Sequence, residues 1–264
     1  MKSRQEIKAL AKESFRDQYG TGVLIVLLLI LFGFAFGIVY SIPIVIGMVG
    51  GIAAADDPLW VMRLLVPAGA MGMLTSLLSL VFYAVVYVLG VNVCGAYTKV
   101  YLKERTSAGE PFSQLSVNFW RKLGGYLWMW LFISLWSLLF IIPGIVKAYS
   151  YRMAPYILAR HPDVRATEAL RLSKEMTRGN KGKLFVMDLS FIGWGLLSAI
   201  PFAGSVLGVV WVLPYYSTTS AGFFVEIRDK ALEDGIIVHA ELGMAMPEAE
   251  QSEFQANVPP PPPM

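Results

Sequence analysis

The sequence has few of the side chains that carry out chemistry. Its 264 residues include one cysteine and two histidines, and only 16% of them are charged. Cys94 lies in an apolar segment and has no second cysteine for a disulfide, so we interpret it as a small buried apolar residue. His161 and His239 have no cysteine or carboxylate neighbours at the spacing of metal ligands. The sequence therefore predicts neither a zinc site nor another cofactor.

Paired carboxylates are also scarce in the apolar segments. Asp188 is the one acidic residue inside such a segment, whereas acid–base chemistry within a membrane typically needs two carboxylates. Residues 177–183 contain glycines and cations, but they do not form a phosphate-binding P-loop, because Leu184 replaces the required serine or threonine. We therefore expect a protein that is not an enzyme.

Apolar residues, in contrast, are abundant. They make up 56% of the chain, and the mean hydropathy is +0.57. This content exceeds what a water-soluble chain of the same length needs for its core. Residues 23–42 hold no charged side chain and are long enough to cross the hydrocarbon core of a bilayer as a helix. The composition predicts an all-α integral membrane protein.

Six apolar runs separated by charges predict six transmembrane helices. These runs are residues 23–42, 71–97, 123–142, 145–159, 184–200 and 206–225. The fourth run is short and contains Lys147, Arg152 and Pro155, so five spans are the main alternative. Lys and Arg gather on the cytoplasmic side of membranes, and the basic clusters fall on one side only if the fourth run crosses. We therefore expect three in-out-in hairpins with both termini in the cytoplasm.

Two short patterns recur along the chain. Residues 136–143 and 194–201 share Trp-x-Leu-Leu-x-x-Ile-Pro, and residues 12–20 and 174–182 share Lys-Glu-x-x-Arg-x-x-x-Gly. The recurrence indicates a parallel repeat in which a basic cytoplasmic helix precedes each hairpin, as residues 2–19 do for the first. The repeat units would be residues 1–102, 103–159 and 160–225.

Arg152 and Asp188 are the candidate polar site within the membrane. A charge at the bilayer centre costs about 2.5–3.5 kcal/mol on insertion scales, so such residues usually pair or line a polar cavity. One interpretation is an ion pair that holds two hairpins together in a non-enzymatic scaffold or accessory protein. The alternative is a substrate or proton site in a small transporter or lipid-handling protein. The sequence favours the scaffold.

Basic residues before the fifth apolar run predict contacts with lipid headgroups. Arg178, Lys181 and Lys183 lie next to the membrane, where they fix the topology and can contact anionic headgroups. Their position against the membrane argues against nucleic acid as a partner. The expected partners are membrane lipids and other membrane proteins.

The C-terminal segment differs from the membrane domain of residues 1–230. From residue 235 to 264 the chain is acidic and polar, and it ends in five consecutive prolines at 259–263. This composition predicts a disordered cytoplasmic tail. The prolines favour a polyproline II helix, which a peptide-recognition domain can bind, although a solubilising tail without a partner is the simpler interpretation.

Several strings in the second half of the chain carry a family resemblance. They are residues 142–151, 153–158, 168–173, 176–181 and 184–194. With these strings the chain, from residue 1 to about 230, resembles a bacterial family of polytopic membrane proteins catalogued as domain of unknown function 975. The resemblance implies a protein of the bacterial cytoplasmic membrane with about six helices. It implies no activity and no site residues.

Overall fold

The computed structural model describes residues 2–53 and 60–244, and every regular element in this part of the chain is helical. The α-helices are α1 Arg4–Asp17, α2 Tyr19–Ala53, α3 Trp60–Tyr101, α4 Glu110–Ser113, α5 Phe119–Leu139, α6 Ile141–Tyr151, α7 Ala154–Arg160, α8 Ala166–Met176, α9 Lys181–Ser198, α10 Ala203–Leu207 and α11 Leu213–Glu233. A π-helical segment, Gly208–Val212, joins α10 to α11, and a short 3-10 helix follows at His239–Leu242.

Three of the described helices are long and apolar enough to cross a membrane. These segments are Tyr19–Ile46, Gly72–Tyr101 and Phe119–Leu139. At most 22% of the most apolar stretch of each is buried inside the protein. Apolar side chains exposed on this scale are compatible with a lipid environment. The fold is therefore all-helical with three candidate membrane spans.

The second hairpin turns earlier than the Pro143–Gly144 pair that breaks the apolar run. The chain reverses at Phe140, whose backbone is extended, and α6 already includes Pro143 in its first turn. Proline fits there because the first backbone N–H groups of a helix have no intrahelical acceptor. Gly144 instead allows α5 and α6 to approach closely, since an added Cβ would lie 2.8 Å from the Cα of Ser137.

The predicted fourth span, residues 145–159, is not one continuous helix. It is divided after Tyr151 between α6 and α7, and Pro155 lies in the first turn of α7. The α7 side chains Ile157 and Leu158 are at most 1% exposed. The second half of this run is therefore covered by protein, which its hydropathy alone could not indicate.

A shared core is formed where the shorter helices pack against the ends of the longer ones. The helices α1, α7 and α8 pack here against the C-terminal parts of α3 and α11, and the largest fully buried side chains are Phe15, Tyr97, Met153, Leu172, Met176, Phe223 and Phe224. Ser3 begins α1 with a capping box to Glu6. The apolar face of α1 packs on protein, and its side chains Ile7 and Ala11 are fully buried.

The first ten residues of the predicted tail are packed. Ile237 and Leu242 are each 1% exposed, and Glu241 forms an ion pair with Arg171 of α8. Folded structure thus continues to Met244. The rest of the predicted tail, residues 245–264 with the proline run, lies outside the described residues.

Candidate functional site: a polar cluster between the hairpins

Arg152 and Asp188 form an ion pair that joins the end of α6 to α9. Arg152 follows the last residue of α6, and Asp188 lies in the middle of α9. The guanidinium donates from Nη1 to Oδ2 of Asp188 and from Nη2 to Oδ1, the latter at 2.8 Å. Their side chains are only 18% and 25% exposed. A bidentate, half-buried arginine–carboxylate pair fixes both partners in orientation as well as in distance.

Two tyrosines complete the cluster. The Tyr149 hydroxyl donates to Asp188 Oδ2 at 2.8 Å, and the Tyr216 hydroxyl donates to Oδ1 at 2.9 Å. Tyr216 also accepts a hydrogen bond from Arg152 Nη2 at 2.7 Å. Asp188 therefore accepts four hydrogen bonds, which is about the full acceptor capacity of a carboxylate. The cluster ties α6, α9 and α11 together.

Sequence reasoning did not identify the two tyrosines. Tyr149 precedes Arg152 by three positions and so shares its helical face. That spacing was the available signal. Tyr216 lies on α11, 64 residues from Arg152, and no local pattern indicates such a contact.

The predicted headgroup cations lie in and directly after the turn between α8 and α9. Arg178 lies in the turn between α8 and α9, next to Gly179, whose φ is +80°. Lys181 and Lys183 lie in the first turn of α9. Arg178 and Lys183 are exposed, and Lys181 is half-buried. Arg178 and Lys183 also line a cavity of about 150 Å³ that the turn forms with the C-terminal part of α11.

Lys183 also borders a larger groove between α1 and α9. The groove has a volume of about 450 Å³ and is lined by Lys2, Ser3, Arg4, Gly182, Lys183, Val186 and Phe223. Val186 and Phe223 give it an apolar floor, and three basic residues form its rim. Such a combination suits an amphiphile with an anionic head and an apolar chain. Lys2 and Arg4 were not among the predicted headgroup contacts.

No group of three or more histidine, cysteine or acidic side chains suited to a metal ion occurs among residues 2–53 and 60–244. His161, at the end of α7, is 7% exposed, and its neighbours are cationic. Burial, together with Arg228, lowers the pKa of His161 to about 4. Its environment is therefore that of a neutral core histidine.

Comparison with known proteins identifies the family. A family model described as a protein of unknown function, DUF975, matches residues 1–154 and 140–231. No curated protein and no solved structure matches the chain. Since the matched segments span more than half of the sequence, the protein belongs to this family of unknown function.

Proposed function

We propose that the protein is a non-enzymatic membrane scaffold that engages anionic lipids. The observation that carries this proposal is the saturation of Asp188, whose four hydrogen bonds come from Arg152, Tyr149 and Tyr216. A carboxylate without a free acceptor position has none to offer a substrate or a transferred proton. The polar cluster then serves to join the hairpins, and the contact with lipid falls to the groove beside α1.

The proposed topology has six helical passes in the cytoplasmic membrane of a bacterium, with both termini in the cytoplasm. The helices α6 and α7 would together form the fourth pass, because their combined rise is about 30 Å, the thickness of a hydrocarbon core. The third hairpin would consist of α9 and the helix continuing from α10 into α11. Apolar side chains at its tip, such as Ile200 and Phe202, are 52% and 90% exposed, which supports this placement.

The order of helices supports the proposed repeat. A short helix precedes each hairpin: α1 comes before α2 and α3, α4 before α5 and α6, and α8 before α9 and α10. The two Lys-Glu-x-x-Arg-x-x-x-Gly motifs begin in the last turns of α1 and α8 and end in the first turns of α2 and α9. A parallel repeat would place all three preceding helices on the cytoplasmic side.

The alternative function is a small transporter or lipid-handling protein with its site at Arg152 and Asp188. The exposure of the Asp188 side chain, 25%, favours this alternative to the extent that a solute could reach the carboxylate. A transporter would need Asp188 to exchange at least one hydrogen bond during its cycle. In the scaffold, Asp188 keeps all four hydrogen bonds.

The basic rim of the groove provides a test of lipid engagement. Arg4→Gln combined with Lys183→Gln removes two rim charges and leaves Lys2 with its partner Glu226. We expect phosphatidylglycerol to raise the melting temperature of the wild-type protein in nanodiscs and to raise that of the variant less. Lys12→Gln with Lys174→Gln is the matched control, since both lysines are exposed and lie outside the groove. An equal response of both double variants would contradict the proposal.

A further inference from the structure

A further cavity lies between the C-terminal part of α3 and the N-terminal part of α5. It has a volume of about 220 Å³ and is lined by Asn92, Gly95, Ala96, Lys99, Glu110, Gln114, Lys122, Ala159 and Arg160. Pockets for drug-sized ligands hold roughly 300–1,000 Å³, so this cavity suits a smaller group. Its wall combines three cations with one carboxylate, which gives the space a net positive charge.

Lys122 is the cation in this wall whose charge is not balanced. It is 4% exposed, and its ammonium donates to Asn92 Oδ1 at 2.6 Å and to the Gln114 carbonyl at 3.2 Å. Both acceptors are neutral. Within the described part of the chain, no carboxylate lies within ion-pair distance of Lys122. An ammonium has three donors, so one N–H remains after these two bonds.

The other two cations of the wall already have acidic partners. Lys99 pairs with Glu110, and Arg160 donates two hydrogen bonds to Glu104 at 3.0 and 3.1 Å. These pairs leave the excess charge at Lys122. A buried charge is costly unless it is paired, and an anion in the cavity would supply the missing partner.

Asn92 is held in place for this role. Its amide nitrogen donates to the Pro111 carbonyl at 2.8 Å, which leaves Oδ1 to accept from Lys122. Asn92 is itself 6% exposed. The amide thus connects α3 to α4 and fixes the position of the ammonium, so that the cavity and its charge are built in advance of any ligand.

We propose that this cavity binds a phosphate group, with Lys122 as its principal ligand. Phosphate is favoured because the cavity lies where the candidate span Gly72–Tyr101 ends and the candidate span Phe119–Leu139 begins, and lipid phosphates are found at the ends of membrane spans. The phosphate could arrive free in solution or on a lipid headgroup, and both present the same oxygens. The proposal is independent of the α1–α9 groove, since the two cavities share no residue.

Two measurements on delipidated full-length protein separate these sources. Isothermal titration with sodium phosphate, against sodium chloride at equal ionic strength, detects the free anion. Native mass spectrometry after exchange into phosphatidylcholine, with or without phosphatidic acid, detects the lipid. Whichever of the two ligands the wild type binds, we expect Lys122→Met to weaken the affinity for it by about tenfold or more, because the substitution removes a charge-assisted hydrogen bond. Lys174→Met, at an exposed lysine of α8, should bind as the wild type does.

The outcomes are distinct. Phosphate binding that Lys122→Met removes supports the free anion, and loss of retained phosphatidic acid without phosphate binding supports the lipid. A wild-type protein that binds neither overturns the proposal, as does equal binding by Lys122→Met. If Lys122→Met does not fold, Arg160→Gln tests the same cavity from its rim, where a severalfold loss is expected and unchanged binding contradicts the assignment.

Discussion

Glu226 of α11 accepts two hydrogen bonds from Lys2, one from its backbone N–H at 3.0 Å and one from its ammonium at 2.6 Å. The Glu226 side chain is 10% exposed, whereas that of Lys2 is 51% exposed. Burial by itself would raise the pKa of Glu226, but the hydrogen bonds from Lys2 outweigh it and hold the pKa below its ordinary value. The pair therefore anchors the start of α1 to the core.

We expect Glu226→Gln to lower the free energy of unfolding by about 1 kcal/mol at neutral pH, because it removes the charge from one partly exposed ion pair. A carboxylate with a lowered pKa in the folded state contributes stability above its unfolded pKa of about 4.3 and loses that contribution as the pH falls through the folded value. The difference from wild type should thus vanish in acid. Thermal unfolding in detergent at several pH values measures this difference in stability. Glu233→Gln, at an exposed position, is the control.

Variants of the Arg152–Asp188 pair distinguish the proposed scaffold from the alternative transporter. We expect Arg152→Met and Asp188→Asn each to destabilise the protein by about 2–4 kcal/mol, because each leaves a half-buried charge without its partner. The double variant should lose much less than the sum of the two. Thermal unfolding of all four proteins gives the coupling energy. A transporter predicts the reverse pattern, in which the single variants remain stable but no longer retain a bound lipid or solute.

Tyr216→Phe examines the same cluster without removing a charge. It deletes the hydroxyl that accepts from Arg152 and donates to Asp188, and we expect a loss of about 1–2 kcal/mol. The loss should disappear in the Asp188→Asn background if the hydroxyl acts through the carboxylate. Equal losses in both backgrounds would mean that the hydroxyl acts independently of the carboxylate, through its hydrogen bond with Arg152.

The sequence predicts the parts of this protein that depend on hydropathy. The three described helices with spanning properties each overlap an apolar run. Arg152 and Asp188 could be singled out because each is a charge in an apolar setting. These signals are local, so one sequence is enough to detect them.

Features that depend on tertiary contacts were not accessible in this way. The burial of α7 arises from its position between α3, α5 and α8, and the fourth hydrogen bond of Asp188 comes from a helix far along the chain. The environment of Lys122 likewise depends on Asn92, thirty residues before it. Hydropathy treats Lys122 as one of several loop cations, since it contains no information on which neighbours are carboxylates.

His161 predicts a loss of stability in acid. Its pKa is lowered to about 4, so the folded protein holds the imidazole neutral while the unfolded chain protonates near 6.5. A depressed folded pKa contributes stability above the unfolded value and loses it as the pH falls, which amounts to about 3 kcal/mol between pH 6.5 and 4. His161→Gln should flatten that part of the stability profile. A profile that His161→Gln does not alter would contradict the assignment.

Gly144 predicts a steric requirement in the second hairpin. An added Cβ would lie 2.1 Å from the Ser137 hydroxyl oxygen and 2.8 Å from the Ser137 Cα. We expect Gly144→Ala to destabilise the protein by about 1–3 kcal/mol, since α5 and α6 must separate. Gly124→Ala, which meets open space on α5, should be neutral or stabilising by up to about 1 kcal/mol. Ser137→Ala should rescue Gly144→Ala only in part, because the backbone contact remains.

The hairpin tips test the proposed six passes. In a Cys94→Ala background, Ile141→Cys and Phe202→Cys place single thiols at the tips of the second and third hairpins, where the native side chains are 76% and 90% exposed. If both hairpins cross, a membrane-impermeant maleimide added to intact cells should label both positions. Lys174→Cys, on the proposed cytoplasmic side, should react only after the cells are permeabilised.

Failure of the maleimide to label Ile141→Cys would also be informative about the path of the second hairpin. The helix α6 alone rises about 16 Å, roughly half of a hydrocarbon core. If Ile141→Cys reacts from neither side while Lys174→Cys reacts after permeabilisation, the second hairpin ends within the bilayer and α7 belongs to the cytoplasmic core. Arg152 would then lie near the cytoplasmic surface, where a charge is cheaper, and Asp188→Asn, which leaves Arg152 unpaired, should cost less than Arg152→Met. The labelling of Ile141→Cys and the relative stabilities of Arg152→Met and Asp188→Asn must therefore indicate the same depth for Arg152.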